Sequence, residues 1–318
     1  MANKKKIEKK VRRKGYADLR NDYMFKKIFG TEGCKDILIA FLNCVMGDEC
    51  VIDVRFNPQE HLGPTQEDRT AVTDIACTTN DGSEFVLEMQ NAWQPYFVDR
   101  ALYYAAYPII SQGEVARREH EELYGGSRKF AWDFNLKPVV IISLLNFRIR
   151  HGDGWENDRY HSSYMIREDR TGEILHDKLR LVFFELARFD KTEDECETLY
   201  DKWIYLFKHM TSLKRRPKKF TGKVFDRLFQ IAKFSNFRPS EYKKYQKREK
   251  MRYDYHNTIE GAKILGMEMG LAEGEAKGRS EAQAEMARKM LAASMPLEQI
   301  AQFTGLDAES IEALTAEQ

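Results

Sequence analysis

The sequence predicts an α/β fold: a mixed β-sheet flanked by helices, with a helical C-terminal region. Three observations carry this. Arg69 to Thr79 and Ser83 to Gln90 are rich in Val, Ile, Thr and Phe and flank Asn80-Asp81-Gly82, the composition of two strands and a tight turn. Lys137 to Phe147 is an almost unbroken apolar run, suited to a central strand covered on both faces. Segments before and after these strands carry apolar residues at helical spacing.

Asp18 to Met46 reads as two helical segments broken near Gly30-Thr31-Glu32-Gly33. Met24, Phe25, Ile28 and Phe29 share one face, and Ile37, Phe41 and Leu42 share another. Asp22 and Lys26 stand one turn apart, the spacing of an ordinary surface ion pair. Val51 to Phe56 is a short strand, followed by a loop with Pro58, Gly63 and Pro64.

The hairpin register can be worked out from the turn. If Asn80, Asp81 and Gly82 form a three-residue loop with Gly82 left-handed, Thr79 faces Ser83. Asp74 then lies opposite Glu88, with Gln90 on the same face, while Ile75, Cys77, Phe85, Leu87 and Met89 line the other. A two-residue Asp81-Gly82 loop would instead split the two acids between faces. The three-residue loop is preferred because it gathers the polar set on one side and the apolar set on the other. Opposed β-carbons stand about 5 Å apart, close enough for two carboxylates to share one hard cation such as Mg²⁺ or Mn²⁺. Gln90 could orient a water or donate to a phosphate oxygen but supplies no charge. The ordinary alternative is that both acids are polar residues on the wet face of a hairpin.

After Pro95 a helix is expected from Phe97 to about Gln112, kinked or ended at Pro108. Arg100 and Tyr104 share a face of it, and Arg100 is the side chain suited to phosphate. Arg148 to Tyr160 reads as a loop; His151, Asp153, Glu156, Asp158 and His161 match no metal spacing and fit a polar turn. Ser162 to Arg167 and Leu179 to Phe189 are two further strands, followed by helices at Glu193 to Met210, Lys223 to Phe234 and Pro239 to Ile264. Tyr242, Tyr245, Tyr253 and Tyr255 alternate there with basic residues, as in a nucleic-acid backbone contact or a solvated face. Gly266, Gly270, Gly274 and Gly278 recur every fourth residue; with each costing about 0.8–1.0 kcal/mol of helix stability, a flexible linker is expected. Short helices follow at Glu281 to Leu291 and Leu297 to Leu306, the second resembling half a helix-turn-helix. The acidic Asp307-Ala308-Glu309-Ser310 after it points to a small helical assembly module rather than a groove reader.

The order of these pieces resembles one family. Asp74 on one strand and Glu88-x-Gln90 on the next look like the PD-(D/E)xK nuclease core. The narrower likeness adds Asn21-Asp22-x-x-Phe25-Lys26-x-x-Phe29, Arg100 and Tyr104, the strand Pro138-Val139-Val140-Ile141-Ile142, and the Gly/Glu-rich tail ending in Leu297-Glu298-Gln299-Ile300-Ala301-x-x-Thr304-Gly305-Leu306. Together, from about Tyr16 onward, they resemble the Rpn family of recombination-promoting nucleases and transposases. Gln90 stands where most of the wider superfamily has Lys and is usual in this group. The resemblance implies a restriction-endonuclease-like fold and a Mg²⁺-dependent (or Mn²⁺-dependent) DNA endonuclease with Asp74 and Glu88 as metal ligands. It makes Asp22 a third acidic group, and Lys26 and Arg100 cations at the site.

Composition sets the outer bounds. With 51 Lys and Arg against 50 Asp and Glu the chain is not uniformly basic, but Lys4 to Lys14 and Lys214 to Arg252 are local basic stretches able to meet a polyanion. Five cysteines with no C-x-x-C pair argue for a reducing compartment. No apolar run suits a secretory signal or a membrane span, so a cytoplasmic location is expected. The organisation anticipated is a basic arm over 1–15, a nuclease core over 16–190, a helical extension over 191–264, and a Gly-striped linker with a small helical module over 265–318, through which the chain would form homo-oligomers.

Overall fold

The computed structural model describes residues 14–47, 50–57, 60–61, 71–125 and 128–316. The basic run before residue 14 lies outside them, as do Arg69 and most of the loop around Gly63. The chain divides into two compact units, Met1–Lys250 and Met251–Gln318.

In the first unit, α1 (Asp22–Phe29) and α2 (Lys35–Met46) flank a short 3-10 turn at Glu32–Cys34. Asn21 caps α1, its side-chain oxygen accepting from the Tyr23 and Met24 amides at 3.1 and 3.3 Å. The strands then follow in sequence: β1 (Val54–Phe56), β2 (Glu60–His61), β3 (Ala71–Val72), β4 (Ile75–Thr79) and β5 (Glu84–Gln90). Helix α3 (Phe97–Tyr124) carries the chain to β6 (Val139–Leu145), and β7 (His161–Arg167) and β8 (Ile174–Glu185) complete the sheet. Its order is β1-β4-β5-β6-β8-β7, with β5, β6 and β8 parallel and the outer pairs antiparallel; β2 and β3 pair separately. This is the mixed sheet flanked by helices that the sequence predicts. β6 is central and buried along its whole length, which its uninterrupted apolar run requires.

Two cores cover the two faces. On one, Ile75, Cys77, Phe85, Leu87 and Met89 pack with α1, α2, α4 (Leu199–His209) and α5 (Lys223–Ala232). The apolar stripe of α1 enters this core, Phe29 lying 5.6 Å from Phe207 and 5.7 Å from Phe41 between ring centres. Gly30 lets α1 end against β4, since a β-carbon there would sit 2.9 Å from the Lys26 carbonyl oxygen and 3.3 Å from Ile75. On the other face, Ala76, Val86, Ile141 and Phe183 pack against Phe97, Ala101 and Ala105 of α3.

Several expected boundaries move. α3 does not end at Pro108 but continues to Tyr124, because packing of its buried face outweighs the one hydrogen bond that proline removes. α4 begins at Leu199 rather than near Glu193, where Thr198 and Asp201 close a reciprocal capping box. The third long helix, α6, runs over Pro239–Ala292. The glycine-striped segment expected as a flexible linker is therefore helical throughout; three of every four residues there include strong helix formers such as Met, Leu, Ala, Glu and Lys. Tyr245 is buried, packed on Phe234 and Phe237 with its hydroxyl accepting from the Asp18 amide at 3.1 Å, so it serves the core and not a nucleic-acid surface.

The second unit holds the remainder of α6 with α7 (Leu297–Thr304) and α8 (Ala308–Ala316). Its small core is Ala287, Ile300 and Ile311, flanked by Met290, Leu291 and Leu306. Among the described residues no helix is long and apolar enough to cross a membrane.

Candidate active site

The turn between β4 and β5 sets the register of everything after it. Gly82 is left-handed at φ 86°, its amide donates to the Thr79 carbonyl at 3.0 Å, and the Thr79 amide donates to Ser83 at 2.9 Å. Asp81 braces the loop, accepting from the Thr79 hydroxyl at 2.6 Å and the Ser83 amide at 3.1 Å. This is the three-residue loop. Ile75 therefore pairs with Leu87 and Thr78 with Glu84, which sets Asp74 opposite Glu88.

Each acid's carboxylate is tied to a backbone amide of the opposite strand. The Asp74 amide donates to Glu88 Oε1 at 3.0 Å, and the Met89 amide donates to Asp74 Oδ2 at 2.9 Å. Glu88 is 4% exposed. Burial, and then the charge of Asp74, push its carboxyl up to about 8. Burial also raises Asp74, against the pull of the Met89 amide and Lys26. Both carboxylates are thus held where neither is easily charged, a deficit that a cation between them would relieve.

Gln90 completes the row. Its Nε2 donates to Glu88 Oε2 at 2.9 Å and its Oε1 accepts from Arg100 Nη2 at 2.7 Å. Arg100, on the first turn of α3, also donates to Gln94 and lies 5.9 Å from the ring centres of Phe97 and Tyr104. Tyr104 is close enough that its hydroxyl is raised by burial and then by the Glu88 charge.

Helix α1 brings the remaining pair. Lys26 Nζ lies 3.0 Å from Asp22 Oδ1 and 3.7 Å from Asp74 Oδ1. All six residues singled out from the sequence (Asp22, Lys26, Asp74, Glu88, Gln90 and Arg100) are thereby connected through direct contacts. Two of their neighbours carry no signal in the sequence pattern. Gln94 sits in the turn before α3, and Arg248 of α6 reaches Asp22 Oδ2 with its Nε at 3.0 Å.

The loop after β6 is a separate polar cluster. His151 Nε2 lies 2.5 Å from Glu185 Oε1, Arg188 holds Glu185 Oε2 at 2.9 Å, and Trp155 stacks on the His151 ring at 3.6 Å. These contacts pin the loop to the end of β8, the polar turn expected. Among the described residues no group of three or more His, Cys, Asp or Glu side chains is arranged to hold a metal ion. The donors at the main site are the carboxylate oxygens of Asp74 and Glu88, and oxygen donors fit hard cations of the Mg²⁺ and Mn²⁺ type.

No curated protein and no solved structure matches the chain. A sequence profile of the PD-(D/E)XK nuclease family transposase matches residues 19–262, a span that contains the sheet, both acids and all their contacts. With most of its length inside that profile, and an acid on one strand facing Glu-x-Gln on the next, the chain belongs to the PD-(D/E)XK nuclease family transposases.

Proposed function

We propose that the protein is a divalent-metal-dependent DNA endonuclease that hydrolyses phosphodiester bonds with low sequence specificity and serves recombination or transposition. Nucleases of this family generally use divalent metals, and their substrate is DNA. The observation that carries the reading is the pairing of Asp74 with Glu88 across one turn, each carboxylate held by a backbone amide of the opposite strand and both carboxyls raised by burial.

Asp74 and Glu88 would hold the Mg²⁺ or Mn²⁺, with the Met89 carbonyl as a further ligand. When bound, such an ion lowers the pKa of a coordinated water and stabilises charge on the phosphate. Gln90, fixed at both ends of its amide by Glu88 and Arg100, orients the attacking water. The oxygen of that water bonds to phosphorus and gives up a proton to solvent, while the bond to the leaving sugar oxygen breaks with its electron pair and that oxygen takes a proton from solvent to become a hydroxyl. Lys26 supplies the positive charge that a strand lysine would give elsewhere in the superfamily, Arg100 faces the phosphate from α3, and Asp22 completes the acidic cluster. Positioning and charge stabilisation are what phosphoryl transfer requires. The helices of the second unit are assigned to homo-oligomer formation, which sedimentation at varied concentration tests.

Purified protein should nick supercoiled plasmid with Mg²⁺ or Mn²⁺, lose activity in chelator, and lose it on Asp74→Ala; equal cleavage by the variant removes the reading. One feature favours a second reading, a DNA-binding or assembly protein on a core that no longer cuts. Gln90 replaces a lysine, and its amide is engaged on both sides. DNA binding without nicking, and without Mg²⁺ or Mn²⁺ binding by calorimetry, selects that alternative.

A further inference from the structure

Lys26 is not held by Asp22 alone. The Asp22 carboxylate is shared: Oδ1 faces Lys26 Nζ at 3.0 Å and Oδ2 faces Arg248 Nε at 3.0 Å. With Asp74 Oδ1 at 3.7 Å from the same Lys26 nitrogen, four charges alternate in sign from α6 to the hairpin. Arg248 is fixed there by its helix. Glu241 pairs with Lys27 at 3.0 Å, the Tyr245 carbonyl accepts from Asn21 Nδ2 at 3.3 Å, and Glu249 accepts from the same nitrogen at 2.7 Å. Residues 241, 245, 248 and 249 lie on one face of α6, so that face is seated along the start of α1.

We propose that Arg248 is a positioning residue of the cleavage site, acting through Asp22 to hold the Lys26 ammonium toward Asp74 and the phosphate. This rests on the endonuclease reading. A carboxylate with one cationic partner draws that partner fully onto itself; a second partner on its other oxygen fixes its orientation and divides its charge. Without Arg248 the Asp22 carboxylate is free to turn, and Lys26, already bound to it at 3.0 Å, turns with it away from Asp74 and the reacting phosphate. Stability does not account for the contact. Side-chain exposures are 49% for Arg248 and 34% for both Asp22 and Lys26, and ion pairs this open add little to folding.

The experiment is a cleavage cycle with Arg248→Ala, Arg248→Lys, Asp22→Asn and the Asp22→Asn/Arg248→Ala double variant, read as kcat, KM for DNA and thermal midpoint. Arg248→Ala should lower kcat about tenfold, a size usual for coupled neighbouring charges, with KM and the salt dependence little changed. Arg248→Lys should recover part of that loss. In the Asp22→Asn background the alanine substitution should cost nothing further. Wild-type kcat in Arg248→Ala overturns the proposal, as does a loss that persists undiminished in Asp22→Asn. A loss confined to KM with a shallower salt dependence also overturns it, because Arg248 would then touch the DNA itself. So does a fall in thermal midpoint that accounts for the lost activity. Each of these leaves the endonuclease reading standing as long as the unsubstituted protein cuts; absence of cleavage by the unsubstituted protein overturns both.

Discussion

Replacing Glu88 by glutamine isolates the cost of burying two carboxylates side by side. In the metal-free protein the Glu88 carboxyl is raised from 4.5 to about 8, by burial first and the Asp74 charge second. Below pH 4.5 the folded and unfolded chains both hold the Glu88 proton and that carboxyl is neutral in each. Between 4.5 and 8 only the folded chain holds it, so stability falls with each unit of pH, and above 8 the full penalty is in place. At 1.36 kcal/mol per pH unit the penalty amounts to about 5 kcal/mol, with Asp74 adding in the same direction. For a unit of this size that is a fall of roughly 10–20 °C in thermal midpoint. Glutamine keeps an acceptor for the Asp74 amide but turns a donor toward Gln90, a mismatch of about 1 kcal/mol that does not vary with pH. The assay is a thermal melt in chelator at intervals from pH 5 to 8. Wild type should lose stability steadily across that range, while Glu88→Gln starts slightly lower and falls less steeply, keeping only the share of the slope that Asp74 contributes. Added Mn²⁺ should lift the wild-type midpoint more at pH 8 than at pH 5 and leave the variant unmoved. Parallel curves for the two proteins would falsify the claim that these acids are buried against each other.

Three other outcomes follow from the same contacts. Gly82→Ala forces a side chain into a left-handed turn at φ 86°, where only the flexible Lys137 chain is nearby at 3.4 Å; urea melts should show a loss of about 1–2 kcal/mol, and an unchanged midpoint would mean the turn is not formed. Gly270→Ala and Gly274→Ala point into open space on α6 and should each add about 0.8–1.0 kcal/mol of local helix stability, seen as slower amide exchange there; no slowing would support the flexible linker instead. Arg100→Ala releases the Gln90 amide from one of its two anchors and should lower kcat about 10- to 100-fold while KM changes little, whereas an effect on KM alone would make Arg100 a binding contact only.

What was legible in the sequence was whatever local chemistry decides. Strand alternation and the Asn-Asp-Gly turn fix which side chains oppose each other, so the Asp74, Glu88 and Gln90 row could be written down by counting. The face of α1 was equally open, because Met24, Phe25, Ile28 and Phe29 repeat at helical spacing and are the residues found buried. The Asp22–Arg248 contact could not be read this way. It spans most of the first unit and depends on how α6 is seated, which no local period encodes. The glycine stripe is helical for a related reason: the strong helix formers between its four glycines offset a cost that the glycines alone suggest. Pro108 misled because the packing of α3 on the sheet, through Phe97, Ala101 and Ala105, is invisible to propensity.

The division of charge between sheet and helices bears on how such a site fails. On the hairpin itself the polar groups are two acids and an amide, while the cations come from elsewhere: Lys26 from α1, Arg100 from α3 and Arg248 from α6. A lysine in place of Gln90 would have its distance to Glu88 fixed by strand register. Here the distance from Lys26 to Asp74 is fixed by the core that joins α1 to the sheet, above all Phe25 and Phe29 against Phe41, Trp203 and Phe207. Substitutions in that core should therefore slow cleavage through displacement as well as instability. A shift of about 1 Å at a reacting centre is worth about a hundredfold in rate, so Phe29→Ala should cut far more slowly than its folded fraction predicts. If its rate instead tracks the folded fraction alone, Lys26 does not take part in the chemistry, and the positive charge at the phosphate must come from Arg100.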